Sequence, residues 1–183
     1  VLNFLSAFEY SQWTQAPPPA WTIACAVVGV MQILVPRGFP ARLVGIVWLL
    51  PALLARAPGP APGEAWFTLL DVGQGLAAVV RTHGHTLVYD AGARLSPRFD
   101  NGAVVVAPFL YTQDVTRIDT FIISHGDNDH AGGAVAVMRR LPVARVLSSV
   151  PEKISMRAEP RFAGQRWTWD DVAFEILSPF ENR

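Results

Sequence analysis

The run Ser124-His125-Gly126-Asp127-Asn128-Asp129-His130-Ala131-Gly132-Gly133 places two of the chain's four histidines and two aspartates within six residues. It follows an apolar segment, residues 118–123, and leads into small residues that open a helical pattern. A strand ending in His-x-Asp-x-Asp-His can aim several imidazole nitrogens and carboxylate oxygens at one point, a donor set that suits zinc, manganese or iron. Four such groups crowded at a strand end are hard to explain as packing. The competing reading is a polar strand-to-helix loop with Asn128 or Asp129 as the helix N-cap. Asp129 and His130 also stand where a helix N-terminus favours an anionic group.

Other polar residues carry weaker signals. Asp90 closes an apolar strand pattern, residues 86–90, and precedes Ala91-Gly92. A carboxylate there can orient a metal-bound histidine from behind, or it can bond its own backbone in a turn; both readings stand. His83-Gly84-His85 has the look of a ligand pair, but Gly84 between two strand patterns favours a hairpin tip. Asp71 and Gln74 sit in the glycine turn around Gly73-Gln74-Gly75, where tight backbone geometry is the default explanation.

The elements that must position these groups follow from periodicity and breakers. Strands are predicted over 66–72, 76–81 and 86–90, with turns at Gly73-Gln74-Gly75 and His83-Gly84-His85. Residues 101–112 read as a helix disturbed at Pro108, 118–124 as a buried strand, 133–140 as a helix and 143–150 as another strand. Near the end, 166–168 and 172–177 flank Trp169-Asp170-Asp171 as a hairpin. A meander followed by strand-helix-strand predicts an α/β domain, a sheet layered against helices.

Composition changes sharply near residue 58. Residues 20–35 and 43–55 are two runs without a charge, each shorter than the roughly 20 residues that span a bilayer, though flanking residues extend both. Neither has a polar face for water, so two transmembrane helices are expected at about 20–36 and 41–56, within a membrane region 1–56. A buried soluble hairpin is the competing reading. The connection 36–42 carries Arg37 and Arg42, whereas residues 1–20 carry no basic residue, which places that loop on the cytoplasmic side. Residues 1–16 are candidates for an interfacial amphipathic helix or the tail of an earlier segment. Ala57-Pro58-Gly59-Pro60-Ala61-Pro62-Gly63 is a linker by composition, and the soluble domain occupies 64–183.

Fifteen basic against fifteen acidic residues give no global charge for nucleic-acid binding. The single cysteine, Cys25, excludes an internal disulfide and a cysteine-cluster metal site. A chain that opens on Val1 and stops mid-pattern at Arg183 is expected to be a piece of something longer.

At these residues the chain resembles the metallo-β-lactamase-type hydrolases, whose signature is His-x-His-x-Asp-His after a strand. Leu70-Asp71-Val72-Gly73-Gln74-Gly75, Val88-Tyr89-Asp90-Ala91-Gly92 and the run from Ser124 to Gly133 are similar, in order and spacing, to the ComEC family. Those are multi-pass membrane proteins of DNA internalisation in natural competence, which join a transmembrane channel to a metallo-β-lactamase-like domain. The resemblance implies part of an αββα sandwich, with residues 64–183 forming its first half and further ligands coming from the second. It implies that His125 and Asp127 serve one metal and Asp129 and His130 a second. Asp127 replaces the second histidine of the general signature, which favours harder metals such as manganese over a three-histidine zinc site. An isolated half is expected to expose the sheet face meant for its partner.

The expected function is metal-dependent hydrolysis of a DNA phosphodiester during import. The metallo-β-lactamase-like domain would lie outside the bacterial cytoplasmic membrane. Two Mn or Zn ions would serve as cofactors, with Asp129 orienting the attacking water. The implied partners are DNA, membrane lipid and other competence-machinery proteins. Two alternatives remain open: a non-catalytic module that guides DNA into the channel, or a superfamily hydrolase acting on another ester, lactam or RNA.

Overall fold

The computed structural model describes residues 17–36, 41–96, 99–153 and 158–179. The candidate interfacial helix at 1–16 and most of the 36–42 connection lie outside the described residues. The chain divides into two compact units, Val1–Pro58 with Tyr111–Asp114, and Gly59–Leu110 with Val115–Arg183.

In the first unit, α1 (Ala20–Leu34) and α2 (Gly45–Leu54) are joined in part by a 3₁₀ turn, Arg42–Val44. A Cβ on Gly29 would lie 2.5 Å from the Gly45 carbonyl oxygen, and one on Gly45 would lie 2.6 Å from that of Gly29. Missing side chains at this crossing let the two backbones touch, the device by which small residues pack helices in lipid. Gln32 Nε2 donates to the Ala41 carbonyl at 3.1 Å, and Arg42 Nε to the Ile33 carbonyl, which satisfies an orphan acceptor at the end of α1. Trp21, Val28, Met31, Leu43, Val47 and Leu54 are exposed, so the apolar residues face outward. The helices are shorter than expected at 20–36 and 41–56, and no helix among the described residues is long and apolar enough to cross a membrane.

The second unit is a mixed α/β domain. Its six-stranded sheet runs β1 (Trp66–Leu69), β2 (Ala78–Arg81), β3 (Thr86–Tyr89), β6 (Ile118–Ile123), β7 (Val143–Ser148) and β8 (Glu159–Pro160) in spatial order. The first three are antiparallel and the rest parallel. This is the meander followed by strand-helix-strand that the pattern predicts. Alternation sorts the side chains. Val79, Val88, Phe121 and Ile123 are buried on one face. On the other, Leu87, Ile122 and Leu147 pack with Ile176, Trp167 and Phe174. The aromatic cover comes from the hairpin of β9 (Arg166–Trp169) and β10 (Val172–Glu175), in which Trp167 and Phe174 stack at 5.3 Å. Asp170 and Asp171 both take left-handed φ, 48° and 66°, as a two-residue hairpin turn of this hand requires. At the sheet's edges, β1 exposes Phe67 (69 %) and Leu69 (62 %), while β8 is two residues long and ends in proline.

The strands expected over 66–72 and 172–177 end early, at Leu69 and Glu175, and three further departures each have a local reason. The strand predicted from 76 begins at Ala78, because Leu76 bonds the Asp129 carbonyl and Gly92 instead of extending the ladder. The helix predicted over 101–112 is a π-helical turn, Gly102–Val106, running into α3 (Ala107–Thr112). Pro108 has no N–H to return to the preceding turn, and the widened turn lies just upstream of it. The strand predicted to 150 stops at Ser148, whose hydroxyl accepts the Val150 N–H at 3.1 Å ahead of Pro151. A short hairpin, β4 (Arg94–Ser96) and β5 (Phe99–Asp100), has too few residues to show a period and was not anticipated.

His83-Gly84-His85 forms the tip between β2 and β3, and Asp170 clamps it. The carboxylate accepts from Thr82 Oγ1 at 2.6 Å, Gly84 N–H at 2.8 Å and His85 Nδ1 at 3.1 Å. The Thr82 hydroxyl first, then the Gly84 amide and His85, hold the Asp170 carboxyl well below its ordinary value. A depressed folded value means that the clamp contributes in full above the unfolded carboxyl range and is lost only as pH falls through the lower folded value. Hydrogen-exchange protection of the Gly84 amide should therefore hold from neutral pH down to about pH 4 and fall only in stronger acid. In Asp170→Ala it should be low throughout; loss of wild-type protection already near pH 5 would contradict this.

Candidate metal centre

Parallel strands β3 and β6 end side by side, and their C-terminal ends carry the polar cluster, where open α/β sheets place their sites. Chain reversal after β3 needs a left-handed residue, and Asp90 supplies it at φ 57°. Its N–H bonds the Ile122 carbonyl, and Ala91 N–H bonds that of His130. Gly133 N–H in turn bonds the Gly92 carbonyl. The segment after β3 is thus stitched beneath the loop that follows β6.

That loop turns into the short helix α4 (Asn128–Ala131), followed by α5 (Ala134–Arg140). Asp127 occupies the N-cap with extended backbone but makes no side-chain cap bond. Asn128 does not cap either: its amide bonds the Arg94 main chain both ways, Oδ1 accepting from N–H at 3.2 Å and Nδ2 donating to the carbonyl at 3.1 Å. The capping explanation of Asn128 and Asp129 fails here, and the carboxylates are left without a helix-terminal task.

Asp90 is fully buried, at 0 % exposure. Its Oδ1 accepts the Ser124 N–H at 2.7 Å, and its Oδ2 accepts from Ser124 Oγ at 2.6 Å and His130 Nδ1 at 2.7 Å. An ionised carboxylate only accepts, so the proton lies on His130 Nδ1 and leaves Nε2 as a lone pair. Ser124 Oγ spends its one proton on Asp90. Toward His125 Nδ1, at 2.8 Å, it must accept, which fixes the same tautomer on His125. One buried carboxylate and one hydroxyl therefore set both imidazoles to present Nε2 outward.

The two rings lie 4.1 Å apart between centroids. His125 Nε2 is 3.4 Å from Asp127 Oδ2, and His130 Nε2 is 3.6 Å from Asp129 Oδ2. Lone pairs thus face carboxylates with no donor between them, an arrangement that a cation stabilises. His125, Asp129 and His130 offer ligand atoms that all lie within 4.8 Å of one another. This nitrogen and oxygen set fits a divalent metal of the zinc or manganese kind. Asp127 does not join that group: its side chain is 79 % exposed and reaches only toward His125.

His83 and His85 are held elsewhere, by the Pro60 carbonyl and by Asp170. Asp71 folds onto its own turn, Oδ1 accepting Gly73 N–H at 3.1 Å. Two supporting residues escaped the sequence reading. Ser124 adjoins the histidine, but nothing in its spacing marks the hydroxyl. Arg161 arrives from beyond β8 and carries no local signal. Its Nη2 donates to the Ser124 carbonyl at 3.1 Å and its Nη1 to the Tyr89 hydroxyl at 3.2 Å, tying the ends of β6 and β3 together.

Comparison with known proteins places this geometry. The family model for the metallo-beta-lactamase superfamily matches residues 70–181. The chain is 32 % identical over 173 residues to competence protein ComA of Neisseria gonorrhoeae, covering 94 % of this chain and 24 % of that protein. It is 35 % identical over 114 residues to recombination protein 2 of Haemophilus influenzae, covering 60 % of this chain and 14 % of that one. To ComE operon protein 3 of Bacillus subtilis it is 26 % identical over 175 residues, covering 81 % of this chain and 21 % of the relative. The chain thus spans about a quarter or less of the length of these curated relatives.

Proposed function

The chain belongs to the metallo-beta-lactamase superfamily, and from that premise we propose that it is the metal-binding part of a DNA-uptake protein that hydrolyses phosphodiester bonds during import. The observation that carries the chemistry is the matched tautomers of His125 and His130, both set to offer Nε2 beside free carboxylates. The names of the relatives, competence and recombination proteins, support DNA as the substrate.

In this reading His125, Asp129 and His130 would hold one divalent ion, and Asp127, 3.4 Å from His125, would contribute to holding a second. Bound metal supplies charge stabilisation for phosphate oxygens and lowers the pKa of water toward neutrality. Asp129 orients the attacking water with the carboxylate oxygen not engaged as a ligand. Asp90 and Ser124 keep both imidazoles in register and move no proton themselves.

The first unit supports a membrane setting. Its helices expose apolar side chains and touch through Gly29 and Gly45. The reading places this unit in the cytoplasmic membrane, the metal centre on the outer side, and other competence proteins as neighbours.

The test is metal content and nuclease activity of the full-length protein beside its Asp129→Ala variant. Stoichiometric Mn or Zn is expected, with cleavage reduced at least about 100-fold in the variant. A protein that binds no metal, with DNA uptake unchanged by Asp129→Ala, would overturn the enzyme reading in favour of a guiding module.

A further inference from the structure

Beside the metal loop lies a second concavity of about 230 Å³, lined by Arg94, Asp100, Gly132, Val135, Arg139 and Arg140. Three cations face one carboxylate there, in a chain whose basic and acidic residues balance at fifteen each. Asp100 Oδ1 accepts the Ala103 N–H at 2.7 Å, while Arg94 Nε donates to the Ser96 carbonyl at 3.3 Å and Arg140 Nη1 to the Ala136 carbonyl at 3.4 Å.

The placement of these arginines is tied to the site. Gly132 closes the short helix that carries Asp129 and His130, so the pocket wall and the metal ligands share one turn of backbone. A Cβ on Gly132 would lie 2.3 Å from the Arg94 main-chain nitrogen, so the bare glycine lets β4 lie directly against the loop. The two-way Asn128 amide bond then fixes Arg94 in that position. Arg139 and Arg140 form the last turn of α5.

We propose that the concavity bounded by Arg94, Arg139 and Arg140 is a phosphate subsite, binding the backbone of a nucleic-acid strand beside the linkage held at the metal centre. Guanidinium groups suit phosphate oxygens through paired donors, and a strand offers a second phosphate close to the first. This rests on the DNA reading given above and adds residues to it. It also gives Asn128 a purpose: a side chain that neither caps nor ligates keeps the subsite in register with the metal ligands.

The experiment measures binding of a phosphorothioate single-stranded oligonucleotide, resistant to cleavage, to the full-length metal-bound protein across a salt series. Losing two single-strand phosphate contacts in Arg139→Gln/Arg140→Gln should make the log–log salt slope shallower by about 1.4, and weaken binding about 25-fold at about 0.1 M salt relative to the 1 M extrapolation. Arg139→Lys/Arg140→Lys should restore most of the slope, and Arg166→Gln, on the distant hairpin, should leave it unchanged. An unchanged slope in the Gln variant overturns the subsite, as does a uniform loss of affinity at every salt concentration. So does saturable binding of inorganic phosphate, or of phosphatidylglycerol vesicles, that the Gln variant loses while oligonucleotide binding stays as in the wild type. Because binding is read without turnover, a protein that never cleaves DNA still answers this question separately.

Discussion

Replacing Asp90 with asparagine will leave the fold in place and disable the metal centre. Asparagine tolerates the left-handed backbone at this position, and its Oδ1 can still accept the Ser124 N–H. The other arm then presents an NH₂ where two donors, Ser124 Oγ–H and His130 Nδ1–H, now converge. His130 can relieve that conflict only by accepting at Nδ1, which moves its proton to Nε2 and removes the metal-binding lone pair. Metal affinity should fall about 10- to 100-fold, measured by competition with a chelating dye, while circular dichroism is preserved. Asp90→Ala should be worse, because the Ser124 N–H, Ser124 Oγ–H and His130 Nδ1–H lose their acceptor, at about 1 to 3 kcal/mol for each donor left buried and unsatisfied. Unchanged metal affinity in Asp90→Asn would show that the tautomer of His130 is not set as described.

Gly75→Ala should be strongly damaging. Gly75 has φ +120°, which L side chains rarely adopt, and a Cβ there would lie 2.0 Å from the Asp129 carbonyl oxygen and 2.9 Å from its carbonyl carbon. Main-chain atoms cannot swing aside as a side chain can, so either the turn or the metal loop must move. The bond from Leu76 N–H to the Asp129 carbonyl, 3.2 Å, lies next to the intrusion and would break with it. Backbone strain and overpacking together should cost about 3 kcal/mol or more, read by chemical denaturation, with loss of metal-dependent activity. Gly73 is the internal control: its φ is +67°, and a Cβ there would meet nothing within 4 Å. Gly73→Ala should cost only about 1 to 2 kcal/mol, the left-handed penalty, and leave the metal centre intact. Equal effects of the two substitutions would mean that the turn does not brace Asp129.

These two residues also show where the sequence was legible. Asp90 was visible as a carboxylate at a strand end, because the short apolar run through Thr86–Tyr89 announces the strand and its stop. Whether it served a histidine or its own turn depended on how β3 lies beside β6, a parallel pairing across more than thirty residues that no local pattern encodes. The glycine turn was legible for the same local reason, but its contact with Asp129 was not. Strands rich in β-branched residues and the two-residue turn at Asp170-Asp171 declare themselves within a few positions. The Asn128–Arg94 and Arg161–Ser124 bonds join residues 34 and 37 positions apart, and amide and guanidinium groups look the same in sequence whether they face water or a backbone. Asp127 is exposed at its N-cap position, with its carboxylate 3.4 Å from His125 Nε2, a placement that no local pattern encodes.

The two margins of the sheet differ in what they admit. On one side β8 is two residues long and ends in Pro160, which offers no N–H for a further ladder. On the other, β1 presents four residues with Phe67 and Leu69 uncovered and no paired strand beyond it among the described residues. Among the described residues, the β1 margin is therefore the more open to a further strand. A strand recruited from any source, including a second molecule crowded during purification, will enter at β1, and a charged residue in place of Phe67 is the natural gatekeeper against it.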